Sequence, residues 1–372
     1  MFNDLLNSIN RRVKIQKARL KDEIHGIIDR AYFKDRAGVD RTKNKINFVS
    51  IVWGNDFLHA FFSYTIPSLL QDGNIPTLAR EGYDLKYTIY TQLDEYQEIA
   101  KGYDSCLSLL NENVTVKIIS LGDLEEGWWR GYYWHNGTSA LIDQIKTCID
   151  EDAAMFFAPP DSVFGNHSVT NVVKTVEGKD VCLAAPNARV RRDSIMASGV
   201  FDRLKNMETT IENDELVDLA FEHGHPALLE SFDNVDTNRT HRGLSIRKIN
   251  ESTYSIIHNL PTVYLANFVA DDLEHFTRSW ASWDRRWPRL LMRHNRLKVV
   301  GSSDLFFCVE LTKNDRPGRI RKQSGLLNND KLIKQERYLH NYVCNSFCCV
   351  WRGSGDRSRS SSDELVQQPR ID

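Results

Sequence analysis

The stretch Ala153–Ser168, AAMFFAPPDSVFGNHS, runs a block of apolar side chains straight into two prolines, an aspartate and a serine. A buried strand that stops on a lone acid has two readings: a strand meeting an ordinary turn, or the floor of a ligand site. Proline has no N–H and fixes its φ, so Pro159 and Pro160 take the chain abruptly out of a sheet and turn the next side chain outward. Asp161 then either caps the following turn through its own carboxylate or offers that carboxylate to a hard divalent cation, Mg2+ or Mn2+.

Just upstream, GTSALIDQIKTCIDED (137–152) sets Leu141, Ile142, Ile145, Cys148 and Ile149 on one helical face. Further upstream, INFVSIVWG (46–54), DLKYTIYTQ (84–92) and VTVKIISLG (114–122) are β-branched and aromatic runs, the first two followed by helical periodicity. Downstream, NVVKTVEGKDVCLAAPNARV (171–190) supplies another helix end and another apolar strand. Strands alternating with helices of this length predict an α/β fold with a mostly parallel sheet and helices on both faces. Such open sheets bind ligands at the carboxyl ends of their strands. Attention therefore falls on Trp53–Asp56, Thr91–Asp94, Gly122, Asp123 and Pro159–Ser162.

Composition narrows the functional classes. In 372 residues, 48 basic and 50 acidic side chains leave a formal net charge of −2, which argues against a nucleic-acid partner. Seven cysteines lie scattered without zinc-like spacing and are expected as reduced thiols. There is no apolar run of the length, about 18 residues, that a membrane span needs. Residues 1–44 predict an N-terminal helical extension, amphipathic and charged rather than signal-like, which packs on the main domain or touches a membrane surface. A cytoplasmic location is expected. Residues 45–192 form an α/β half, 193–345 complete the same domain and wall its cleft, and the Ser-rich 346–372 is expected as a disordered tail.

The order FVSIVWGND, KYTIYTQ, VKIISLGD, SALIDQIKTCIDED, AAMFFAPPDSVFGNHSVTNVV resembles the nucleotide-sugar-binding half of a GT-A glycosyltransferase. His225-Pro226 and VVGSSDLFFCVEL (299–311) are similar to segments of bacterial glycosyltransferase-like proteins. The resemblance spans Lys45 to Glu310 and is one of order and spacing. It implies a nucleotide-sugar donor, a glycan or lipid-linked acceptor, and a divalent cation on an Asp-x-Asp motif. Here Asp161 takes the place of one acid and Pro159 stands where the other would be. A single carboxylate plus waters, basic residues in place of a metal, or lost activity are the three consequences.

Carried over by position, Trp53, Gly54 and Asn55 would meet the nucleotide, Thr91, Gln92 and Asp123 the base or ribose, and Ser162 the donor. Asn136 and Thr138 begin a helix whose amides would receive phosphate or sugar oxygens, unless they cap it. His225 would contact metal or phosphate, or serve structure. Asp271, Asp272 and Asp304 are the acids that end late apolar stretches and would supply an inverting transferase's base. The first two equally read as caps of the helix that follows, and Asp304 as a turn residue. Glu126–Gly137, EGWWRGYYWHNG, offers aromatic faces to sugar rings or to a core. The expected activity is glycosyl transfer in glycan or glycoconjugate synthesis. The alternative is a GT-A-like binding or assembly protein without catalysis.

Overall fold

The structure is a computed structural model describing residues 44–124, 135–176, 181–205, 209–229, 231–232, 244–258, 262–278, 287–288, 291, 296–313, 347–355 and 365–366. The expected N-terminal extension and most of the aromatic run Glu126–Gly137 lie outside the described residues.

Strand β1 (Lys45–Ile51) leads through α1 (Asn55–Ala60), a π turn (Phe61–Thr65), α2 (Ile66–Leu69) and α3 (Ile75–Arg80) to β2 (Asp84–Thr91). Next come α4 (Leu93–Ala100), α5 (Asp104–Asn113), β3 (Thr115–Ser120), α6 (His135–Asp150) and β4 (Ala154–Phe157). A short β5 (Ser162–Phe164), α7 (Ser168–Val176), β6 (Cys182–Ala185) and β7 (Ala188–Arg191) follow. The later half adds α8 (Arg192–Ala197), α9 (Asp202–Lys205), α10 (Asn213–Glu222), α11 (Pro226–Leu229), β8 (Leu244–Lys248), β9 (Thr253–His258) and β10 (Thr262–Ala266). The remaining elements are α12 (Ala270–Arg278), β11 (Leu297–Val300), β12 (Cys308–Thr312), β13 (Phe347–Arg352) and β14 (Leu365–Val366).

Eight strands form the central sheet in the order β14-β11-β6-β10-β4-β1-β2-β3. The strands β3, β2, β1, β4, β6 and β11 run one way, and β10 and β14 run against them. This is the expected mostly parallel α/β sheet. Strands from before and after residue 192 interleave in it, so both parts of the chain build one sheet. A difference lies at the end of the chain: Phe347–Arg352, expected within a disordered tail, pairs along its whole length with β9.

Side chains alternate between the faces of a strand, and here both faces are buried. Ile46 and Phe48 of β1, Leu85, Tyr87 and Ile89 of β2, and Phe156 of β4 pack against α1 to α5 and α7. Val49, Tyr90 and Met155 face the other way, onto Ala140, Leu141, Ile142 and Ile145 of α6. A third core joins Val163, Ala188, Val190 and Val309 of the small sheet β5-β12-β7 to Ile195, Phe201, Leu216 and Val217. The turn after β5 seats closely on α10: a Cβ on Gly165 would stand 1.9 Å from Asn213 Oδ1, so that position excludes any larger residue.

Phe156 anchors the first core, with ring centroids 5.2 Å from Phe48 and 5.7 Å from Phe164. Phe156→Ala is expected to cost about 3–5 kcal/mol through lost burial and the cavity left behind. Denaturant unfolding monitored by circular dichroism checks it.

Candidate functional site

The candidate site grows from the way the chain leaves β4. Ala158 still donates its N–H to Val49 O (2.8 Å), but Pro159 and Pro160 have no N–H to offer. Their stretch is held through its carbonyls instead. Buried Ser50 donates to Ala158 O (2.6 Å), and Thr65, in the π turn, donates to Pro160 O (2.9 Å). Beyond the prolines, Asp161 O accepts from Leu311 N at 2.8 Å. The Asp161 backbone is thereby fixed at the carboxyl end of β4 and stitched to β12.

Pairing within the small sheet then decides Asp161's neighbours. Register places Glu310 of β12 opposite Ser162 on one side and Arg189 of β7 on the other. Glu310 accepts from Asn187 Nδ2 (3.0 Å) and Arg189 Nε (3.3 Å). Arg192, the first residue of α8, reaches across to donate from Nη2 to Asp56 O at 3.0 Å, just past the loop that ends β1. The Asp56 carboxylate itself pairs with Lys313 at the end of β12. Burial, and after it the neighbouring Glu310 charge, push the Asp161 carboxyl up to about 7, while Arg189 and Arg192 pull it the other way. Burial and Arg189 hold His258 down to about 4, which keeps its imidazole neutral. The result is two neighbouring carboxyl groups flanked by two guanidiniums at the carboxyl edge of the sheet, where open α/β sheets bind ligands.

Several expected residues share that edge. Gly54 adopts φ +82° and no described atom lies within 4 Å of where its Cβ would be, so glycine is needed for backbone conformation rather than for close packing. Its N–H donates to Glu95 Oε2 (2.8 Å), tying the Trp53–Asn55 loop to the start of α4, which Gln92 precedes. Asn55, Gln92 and Asp123 are exposed, and Trp53 is half-buried against the second core. Asn136 and Thr138, both half-buried, lie in the first turn of α6. Thr91 and Ser162 are buried, and their hydroxyl oxygens have no hydrogen-bond partner among the described residues. Such a group costs about 1–3 kcal/mol.

Other expectations need correction. Because β10 runs against β4 and β6, the chain beyond Ala266 emerges at the opposite, amino edge of the parallel strands. Asp271 and Asp272 open α12 there, far from a role as base beside Asp161. Asp272 is fully buried, receives Arg296 through both oxygens (2.9 Å each), and accepts from Val269 N (3.0 Å). It is a helix cap and half of a buried ion pair. Asp304 is bound by Arg352 Nη1 (2.6 Å) and Ser302 Oγ (3.0 Å), in the turn role that was its alternative. His225 is 3% exposed and its Nδ1 accepts from Ala227 N (3.1 Å) at the start of α11, a structural histidine.

Glu310, Arg189 and Arg192 are residues of the candidate site that sequence reading missed. Their signals are an acid inside the apolar run FFCVEL and the basic run ARVRR at the end of a strand. For a divalent cation the donors are poor. Glu310 is already engaged by Asn187, Arg189 and Thr312, and among the described residues no group of three His, Cys, Asp or Glu could hold a metal. Asp161 beside an already engaged Glu310, with two guanidiniums flanking them, does not fit a Mg2+ or Mn2+ centre.

No family model and no curated protein matches the chain. Among solved structures, it is similar to mouse xyloside xylosyltransferase 1 in its apo form, at 12% identity and TM-score 0.27, over 45% of this chain and 60% of that one. It is also similar to a putative glucose-1-phosphate thymidylyltransferase from Bacillus anthracis in complex with sucrose, at 11% identity and TM-score 0.25, over 40% and 57% of the two chains. The chain thus spans less than two thirds of the length of either neighbour. Among the described residues no helix is long and apolar enough to cross a membrane.

Two outcomes follow from the geometry. Asp272→Ala removes the carboxylate that neutralises the largely enclosed Arg296 and is expected to cost about 3–5 kcal/mol in denaturant unfolding. Asp161 behaves in the opposite sense. From about pH 4 to pH 7 the folded chain keeps a proton on Asp161 that the unfolded chain has released, so its contribution to stability falls as pH rises. Asp161→Asn is therefore expected to melt higher than the parent at pH 8, the gap closing by pH 4 in thermal scans.

Proposed function

We propose that the chain binds a nucleotide sugar at the carboxyl edge of its central sheet and transfers the sugar to a glycan or lipid-linked acceptor. The observation that carries this reading is the grouping of Asp161, Glu310, Arg189 and Arg192 beside the Trp53–Asn55 loop. Carboxylates accept hydrogen bonds from sugar hydroxyls, and guanidiniums match phosphate oxygens in charge and fork geometry. In this reading the exposed faces of Asn55, Gln92 and Asp123 meet the nucleoside, and the first turn of α6, with Asn136 and Thr138, meets phosphate or sugar oxygens. Charge that develops on the departing diphosphate is offset by groups already in place, which is the largest service an enzyme of this kind renders.

A second reading, binding without transfer, is favoured by one observation: of the acids expected to supply a base, Asp272 and Asp304 are bound elsewhere in the fold and Asp271 opens α12 at the opposite edge. Release of nucleoside diphosphate from a nucleotide sugar separates the two.

A thermal-shift panel of nucleotide sugars and nucleoside diphosphates, followed by chromatographic measurement of diphosphate release, tests the proposal. At about a hundredfold excess over Kd, the matching donor is expected to raise the melting temperature by several degrees. Asp161→Asn is expected to bind that donor and to lower its turnover at least tenfold. A panel in which no nucleotide stabilises the chain rejects the reading.

A further inference from the structure

We infer that Arg192, supported by Arg189, is the diphosphate-binding cation of this edge, and that nucleotide binding here requires no divalent metal. The inference rests on the nucleotide-sugar reading and says how the charge of that ligand is met.

Among the described residues Arg192 is the guanidinium of the site that makes no close ion pair with a carboxylate. Among the described residues its recorded bond is to a main-chain carbonyl, Asp56 O, at 3.0 Å. Asp56's own carboxylate is taken by Lys313. The bond to Asp56 O holds the Arg192 guanidinium over the junction between the β1 loop and α1. Its charge also acts on Asp161, so the guanidinium serves both the loop expected to meet the nucleotide and the acid expected to meet the sugar. A diphosphate joins those two parts of the ligand.

Arg189 adds a second, more mobile charge. Its side chain is 53% exposed, against 22% for its partner Glu310. An ion pair that open contributes only about 0–1 kcal/mol, so Arg189 can exchange Glu310 for a phosphate at little loss. A divalent ion in the same place would meet an already engaged Glu310, an Asp161 carboxyl that burial and Glu310 keep protonated up to about pH 7, and two guanidiniums to repel it. The groups that disfavour the metal are thus those that favour the anion.

The experiment titrates UDP, GDP and dTDP into the full chain by calorimetry, once in EDTA and once in MnCl2, using parent, Arg192→Gln and Arg192→Lys proteins. Glutamine keeps a donor for Asp56 O and removes the charge; lysine keeps the charge and loses the fork. Melting temperatures without ligand verify that each variant is folded. At least one diphosphate is expected to bind the parent equally well in EDTA and in Mn2+. Affinity should fall about tenfold to a hundredfold in Arg192→Gln, the worth of a charge-assisted hydrogen bond, and recover in part in Arg192→Lys. Binding that appears only with Mn2+ overturns the inference and leaves the nucleotide-sugar reading intact, as does binding in EDTA that Arg192→Gln does not weaken. Absence of binding in both buffers overturns both.

Discussion

Two prolines in succession deny the chain the backbone donors that would carry β4 onward, and the rest of the site depends on what replaces them. Ser50, from the neighbouring strand, and Thr65, from the π turn, take the carbonyls of Ala158 and Pro160. Both hydroxyls are buried, so each bond counts more than its counterpart in water would. With that exit fixed, the chain enters β5 at a defined place and β5 selects β12, which carries Glu310 and ends next to Lys313. Strand β12 in turn selects β7, which carries Arg189 and hands the chain to Arg192. Four charged groups separated by up to 149 positions in sequence, from Asp161 to Glu310, are brought together by one turn that cannot make ordinary sheet bonds.

The electrostatics of the edge follow from that convergence. Two acids at close quarters cannot both ionise freely, and the arginines beside them compensate only in part. The balance leaves Asp161 titrating near neutrality rather than locked as a carboxylate. The buried Asp272–Arg296 pair is the contrast: symmetric, two-pronged, enclosed and remote from the edge. Two aspartates that look alike in sequence, each ending an apolar run, are thus separated by the direction of a single strand.

Much of this was readable from sequence, for identifiable reasons. Strands β1 to β4 and the helices between them are local, and burial on both faces makes such strands continuous apolar runs. Their carboxyl ends, and so Trp53, Gly54, Thr91 and Asp161, follow from topology alone. Strand β10 was not legible: TVYLA is short, and its insertion in reverse between β4 and β6 is a long-range event that no local pattern records. Missing that reversal put Asp271 and Asp272 at the wrong edge. Glu310 escaped because its neighbours are set by pairing in a small second sheet, and Arg192 because its bond to Asp56 spans 136 positions.

The late arrival of β10 bears also on how the chain is made. Synthesis proceeds from the amino end, so β4 is complete long before Thr262 leaves the ribosome. Until then the side of β4 that will receive β10 is an open edge of the apolar sequence AMFF, with unpaired N–H and C=O groups. Open apolar edges recruit other strands, including those of neighbouring nascent chains. A fragment ending before Thr262 would hold the β1-β2-β3-β4 half of the sheet with its sticky margin uncovered. Residues 262–266 therefore act as the seam of the sheet, closing in one step a surface that the first half of the protein cannot close for itself.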